Sequence, residues 1–77
     1  MTRSISGYNM AARKGKDAAM KYCQSWQIEI TAANATLTAE YAGKKISLAT
    51  YNYKREQINR ATRDLNDCIQ SVNRQFG

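Results

Sequence analysis

Six residues, Ala19, Cys23, Trp26, Ile30, Ala33 and Leu37, are spaced 4, 3, 4, 3 and 4 apart. That spacing places them on one face of a helix held over several turns. It competes with a strand reading of the same segment, because QIEIT (residues 27–31) alternates polar and apolar residues. The alternation ends at Ala32 and Ala33, whereas the helical stripe continues. Ala18, Ala32 and Ala35 add helix propensity. The pattern predicts a first helix from about Met10 to about Ala35. Ile28 falls off the stripe, as an exposed apolar residue or a contact with a neighbouring subunit.

A second stripe runs through Ile58, Ala61, Leu65, Cys68 and Val72, spaced 3, 4, 3 and 4, with Ile69 and Phe76 widening the face. It predicts a helix of about Tyr51 to Gln75, capped by Thr50 or Asn52. Glu56 suits the positive end of its dipole, and Arg74 suits the other end. The absence of Pro is compatible with long helices, since Pro would remove a donor and clash with the preceding turn.

Between the stripes, TLTAEYAGKKISLAT changes period. Leu37, Ala39 and Tyr41 alternate with Thr38 and Glu40, and Ile46 and Leu48 with Lys45 and Ser47. Ala42-Gly43-Lys44 supplies a turn, with Gly43 able to take a positive φ. The expected architecture is α+β and mostly helical: two antiparallel helices joined by a short β-hairpin, in the order αββα. A lone hairpin is marginal in water, so its Tyr41, Ile46 and Leu48 face should pack on the helices. The expected core is Cys23, Trp26, Ile30, Leu37, Ile46, Ile58, Leu65, Cys68 and Val72. Residues 1–9 lack periodicity and read as a flexible basic arm, leaving residues 10–77 as one domain. If residues 26–32 were a third strand, the order would be αβββα, as in double-stranded RNA-binding domains. The Lys/Ala-rich start of their last helix is absent.

The 77 residues carry 12 Lys and Arg against 6 Asp and Glu, a net charge of +6. Such a balance favours a polyanion or an acidic protein surface as partner. There is no His, which excludes His-based catalysis and most zinc sites. Cys23 and Cys68 lack CxxC spacing and read as buried, reduced thiols in a reducing cytosol, with a structural disulfide as the lesser alternative. Asp64 and Asp67, three apart beside Arg60 and Arg63, form a solvated ion-pair set in preference to an acid–base dyad. No phosphate loop, metal cluster or nucleophile–base pair is visible, so no enzymatic activity and no cofactor are expected. No apolar run approaches the ~20 residues that span a bilayer, so no membrane partner is expected.

Three segments carry a resemblance: the Trp-bearing first helix (Ser25, Trp26), EYAGKKISLAT, and YKREQINRATRDLNDCIQSV. Together they resemble the small head-completion proteins of tailed phages, the W-type head–tail joining proteins, over roughly residues 18–72. The first helix departs from that pattern at Gln27 and Thr31, and the basic N-terminal lead is longer. The resemblance implies a virion structural protein at the head–tail junction, present in the host cytoplasm before assembly. Copies would form a ring on the portal protein, seal the DNA channel and present a surface to the next joining or tail protein. In such an assembly Tyr8 and Met10, apolar residues in a polar arm, would be anchors, Arg55, Arg60 and Arg63 would bind carboxylates of a neighbour, and Ile28 and Phe76 would join the interface. Lys44 and Lys45 would face packaged DNA. The alternative is a small non-enzymatic phage protein that binds and inhibits a host protein or nucleic-acid-processing complex.

Overall fold

The computed structural model describes residues 3–77, in three helices: α1 (Ile5–Ala12), α2 (Lys16–Ala42) and α3 (Leu48–Phe76). No strand occurs among the described residues, which corrects the αββα expectation. Helices α2 and α3 form a long antiparallel pair, and the molecule measures 44 × 18 × 15 Å. Helix α1 packs on both, beside the start of α2 and the end of α3.

The physical reason for the missing hairpin lies in the first stripe. Ile30, Ala33 and Leu37 continue to Tyr41 by another step of four, so residues 37–42 extend the helix already under way. Inside a helix each backbone group finds its partner locally, whereas an isolated two-stranded hairpin has little to hold it. Thr38, expected in a strand, instead bonds backward from its Oγ1 to the Asn34 carbonyl at 2.9 Å.

The connection between α2 and α3 is a Schellman motif. The Lys45 amide donates to Glu40 O at 2.9 Å, and the Lys44 amide to Tyr41 O at 3.0 Å. The left-handed position belongs to Lys44, at φ 59°, and not to Gly43, at φ −81°. Helix α3 begins three residues earlier than expected. Ser47, not Thr50 or Asn52, is its cap, and its Oγ accepts from the Thr50 amide at 3.2 Å.

At the other end the expected single helix from Met10 is broken at Gly15. This residue sits at φ 116°, a conformation L side chains rarely adopt, and divides α1 from α2. The expected arm is therefore part of the folded body from residue 3 onward; Met1 and Thr2 of that arm lie outside the described residues. Ser4 caps α1, its Oγ accepting from the Gly7 amide at 3.3 Å. Eight residues are too few for an independent helix. Tertiary contacts hold it: Tyr8 is 1% exposed, and its hydroxyl donates to Gln75 Oε1 at 2.7 Å. The Tyr22 hydroxyl bonds both the amide and the carbonyl of Ser4. Gly7 lies against the Tyr22 ring, where a Cβ would run into the hydroxyl.

The core joins Tyr8 and Ala19 to Cys23, Trp26, Ile30, Leu37, Ile58, Leu65, Cys68 and Val72. Trp26 is packed edge-to-face with Tyr22 at 6.0 Å. Ile46, expected in the core, is half-buried in the loop, and Leu48 is exposed. The cysteines are a disulfide, which corrects the reduced-thiol reading. Both lie on inward stripes of antiparallel helices, and the packing brings their Cα atoms to 6.1 Å, inside the range a disulfide spans. Bridges of this kind persist in oxidising surroundings.

Candidate binding surface

The two long helices present different surfaces. Between Lys21 and Glu40, α2 carries one charged residue, Glu29, and that one pairs with Arg3. Its outward face is uncharged: Ile28 is 69% exposed, and Gln24, Gln27, Thr31, Ala32 and Ala35 lie beside it. Helix α3 instead exposes charges along its length, from Lys54 to Arg74.

Placing the expected interface residues on this frame separates them. Tyr8 is a core residue and cannot serve as an exposed anchor, because α1 turns its ring inward. Met10, on the same helix, is exposed. Phe76 is half-buried against the core. Arg60 and Arg63 are exposed but share one carboxylate on their own helix, Glu56, at 3.8 and 3.5 Å. Such surface pairs contribute little stability, so both guanidinium groups are cheaply redirected. Arg55 leans on its own helix too, its Nη1 donating to the Tyr51 hydroxyl at 3.3 Å. The Asp64–Asp67 pair is exposed on α3.

The fold gathers positive charge at its two ends. The α1–α2 turn brings Arg13, Lys14, Lys16 and Lys21 to the three-helix end. At the opposite tip, the segment from Glu40 to Arg55 holds Lys44, Lys45, Lys54 and Arg55 against Glu40 alone, four positive charges less one, or +3. Lys14, Lys16, Lys21, Lys44, Lys45 and Lys54 have no carboxylate partner among the described residues. The tip also carries exposed aromatic surface. Tyr41 and Tyr51 stack at 4.5 Å with an interplanar angle of 26°. Tyr41 keeps 40% of its surface exposed, and Tyr53, one turn into α3, keeps 66%. At the three-helix end, by contrast, Tyr8 is buried and Tyr22 half-buried.

Sequence reasoning found Lys44 and Lys45 but not the Tyr41–Tyr51 pair. As a hairpin strand, Tyr41 belonged to the face packed on the helices. Its register with Tyr51 follows only once α2 is continued to Ala42 and α3 is started at Leu48. Burial pushes the Tyr8 phenol above its usual value, partly opposed by the Arg74 charge nearby. The Trp26 Nε1 is buried without a hydrogen-bond partner. No cluster of metal-ligating side chains and no helix long and apolar enough to cross a membrane occur among the described residues. Comparison with protein-family profiles, with curated proteins and with solved structures found no match.

Proposed function

We propose that this chain is a non-catalytic binding protein whose partner presents negative charge. The observation that carries this reading is the pair of basic ends on an elongated body, where all six lysines lack a carboxylate partner among the described residues. A protein with net +6 gathers polyanions through the release of their counterions, an effect that weakens steeply with salt. Titration of the purified protein with heparin, polyglutamate and oligonucleotides tests the reading. Binding to at least one of them, weakening between about 50 and 300 mM salt, is expected. No binding to any of them at about 50 mM salt contradicts it.

A second reading, the phage head–tail connector, rests on the resemblance. The segment EYAGKKISLAT carried that resemblance as a hairpin, and here it forms the end of one helix, a loop and the start of the next. One observation still favours assembly with copies of itself: the uncharged outward face of α2 around Ile28, which suits contact with a like surface. Size-exclusion chromatography with light scattering, with and without a portal protein, tests this. Rings or portal-bound copies support the connector, and a monomer indifferent to the portal removes it.

A further inference from the structure

We infer that the tip of the α2–α3 pair, centred on Tyr41, Tyr51, Lys44 and Lys45, is a binding site for single-stranded nucleic acid. The inference rests on the reading that the chain binds a negatively charged partner, and it names that partner's chemistry.

Charge alone does not choose between the two basic ends, because both are positive. The aromatic surface does. A single strand offers two things to a protein, a regular line of phosphates and unpaired bases with open π-faces. The tip matches both. Lys44 and Lys45 stand in the loop, Lys54 and Arg55 in the first turns of α3, and the local excess is +3. Among them the Tyr41 and Tyr51 rings are already stacked at 4.5 Å. Tyr41 uses one part of its ring against Tyr51 and leaves 40% of its surface to solvent, enough for a base to extend the stack. Arg55 Nη1, bonded to the Tyr51 hydroxyl at 3.3 Å, holds a guanidinium beside the pair. Leu48, 57% exposed at the start of α3, adds apolar surface at the same end. The three-helix end lacks this arrangement: Tyr8 is sealed in the core, and Tyr22 is committed to Ser4 and Trp26.

A duplex would hide the bases that the rings need, and a polyanion without bases would use the lysines alone. Tyrosine dependence is therefore the mark of this site. The Schellman turn also fixes the lysines. Lys44 and Lys45 follow directly from the last turn of α2, with both amides bonded back into it, so the loop is set before any ligand arrives.

The test is fluorescence anisotropy of a labelled oligo-dT of about 15 nucleotides, within the span of known single-strand sites. The intact disulfide-bonded protein and four variants are compared, each first shown by circular dichroism to be folded. Tyr41→Ala is expected to weaken binding roughly 5- to 150-fold, and Tyr41→Phe to restore it, since stacking needs the ring and not the hydroxyl. Lys44→Ala with Lys45→Ala is expected to reduce the slope of log affinity against log salt by about 1.4, near 0.7 per phosphate contact. Lys16→Ala with Lys21→Ala, at the opposite end, is the control and should change affinity far less. The inference is overturned if the control loses as much as the tip variants, or if Tyr41→Ala binds as the parent does. It is also overturned if the oligonucleotide is ignored while vesicles of phosphatidylcholine and phosphatidylserine are bound. Binding to heparin or polyglutamate without the oligonucleotide sinks this inference and leaves the polyanion reading standing; binding to none of them sinks both.

Discussion

At the end where α2 begins, α1 lies across the helix pair, Tyr8 and Trp26 fill the space between, and Cys23–Cys68 ties the two long helices together. At the other end the same two helices meet at a short loop, with Leu37 and Ile58 as their buried contacts and the stacked Tyr41 and Tyr51 left partly in water. The difference teaches how a chain this small divides its work. A 77-residue chain has little core to share. Concentrating the staple, the third helix and the large aromatic residues at one end stabilises the whole rod. The other end is left free to expose tyrosines and lysines that a fully packed end would have to bury or separate.

Breaking the staple should have the largest effect. The bridge closes a separation of 45 residues, for which loop entropy gives about 4 kcal/mol. Thermal melts of Cys23→Ala with Cys68→Ala, or of the parent in reductant, should show a loss of that order. An unchanged melting temperature in reductant would mean that helix packing alone holds this end. Gly7→Ala comes next. A Cβ there meets the Tyr22 hydroxyl, so either α1 or the Tyr22 ring must move, and overpacking of this kind costs about 1–3 kcal/mol. The loss should appear together with faster exchange of the α1 amides, and the tip should be unaffected.

Much of this contrast is legible in the sequence, and the part that is not has a definite cause. The stripes through Cys23, Trp26 and Ile30 and through Ile58, Leu65 and Val72 set both long helices. Their ends were harder to read because the ends depend on local bonding. In TLTAEYAG the period-two reading and the helical reading share Leu37 and Tyr41, and continuation of an existing helix decides between them. Ser4 and Ser47 cap their helices through bonds to the amides three residues on. Tyr8 stands in a polar context, MTRSISGYN, and its burial follows from Gly7 and Tyr22, residues 15 apart that no periodicity links. The disulfide depended on register. Two cysteines on inward stripes are compatible with a bridge or with two thiols, and only the pairing of the antiparallel helices places them opposite one another.

Smaller effects sharpen the comparison. Tyr8→Phe removes the hydrogen bond to Gln75, worth about 1 kcal/mol at neutral pH. It also changes the alkaline limb. The folded phenol titrates above its ordinary value of 10.0, so above that pH the unfolded chain releases a proton that the folded chain retains. The stabilising contribution is full below pH 10 and is lost as pH rises through the folded value. Denaturant melts at successive alkaline pH values should fall more steeply for the parent than for Tyr8→Phe. Equal slopes would mean that Tyr8 is not buried. The smallest effect belongs to the tip. Lys44 holds a left-handed conformation that glycine adopts without strain, and Lys44→Gly should raise stability by up to about 1 kcal/mol. A loss instead would mean that the Schellman turn is not formed.

Native-state amide hydrogen exchange measures the contrast itself. Amides of α2 and α3 around Cys23, Trp26, Leu65 and Cys68 should exchange only through global unfolding, and those around Tyr41 and Tyr51 through local opening at much lower free energy. Uniform protection along both helices, or a tip more protected than the stapled end, would contradict a molecule built as an anchored body with a less anchored tip.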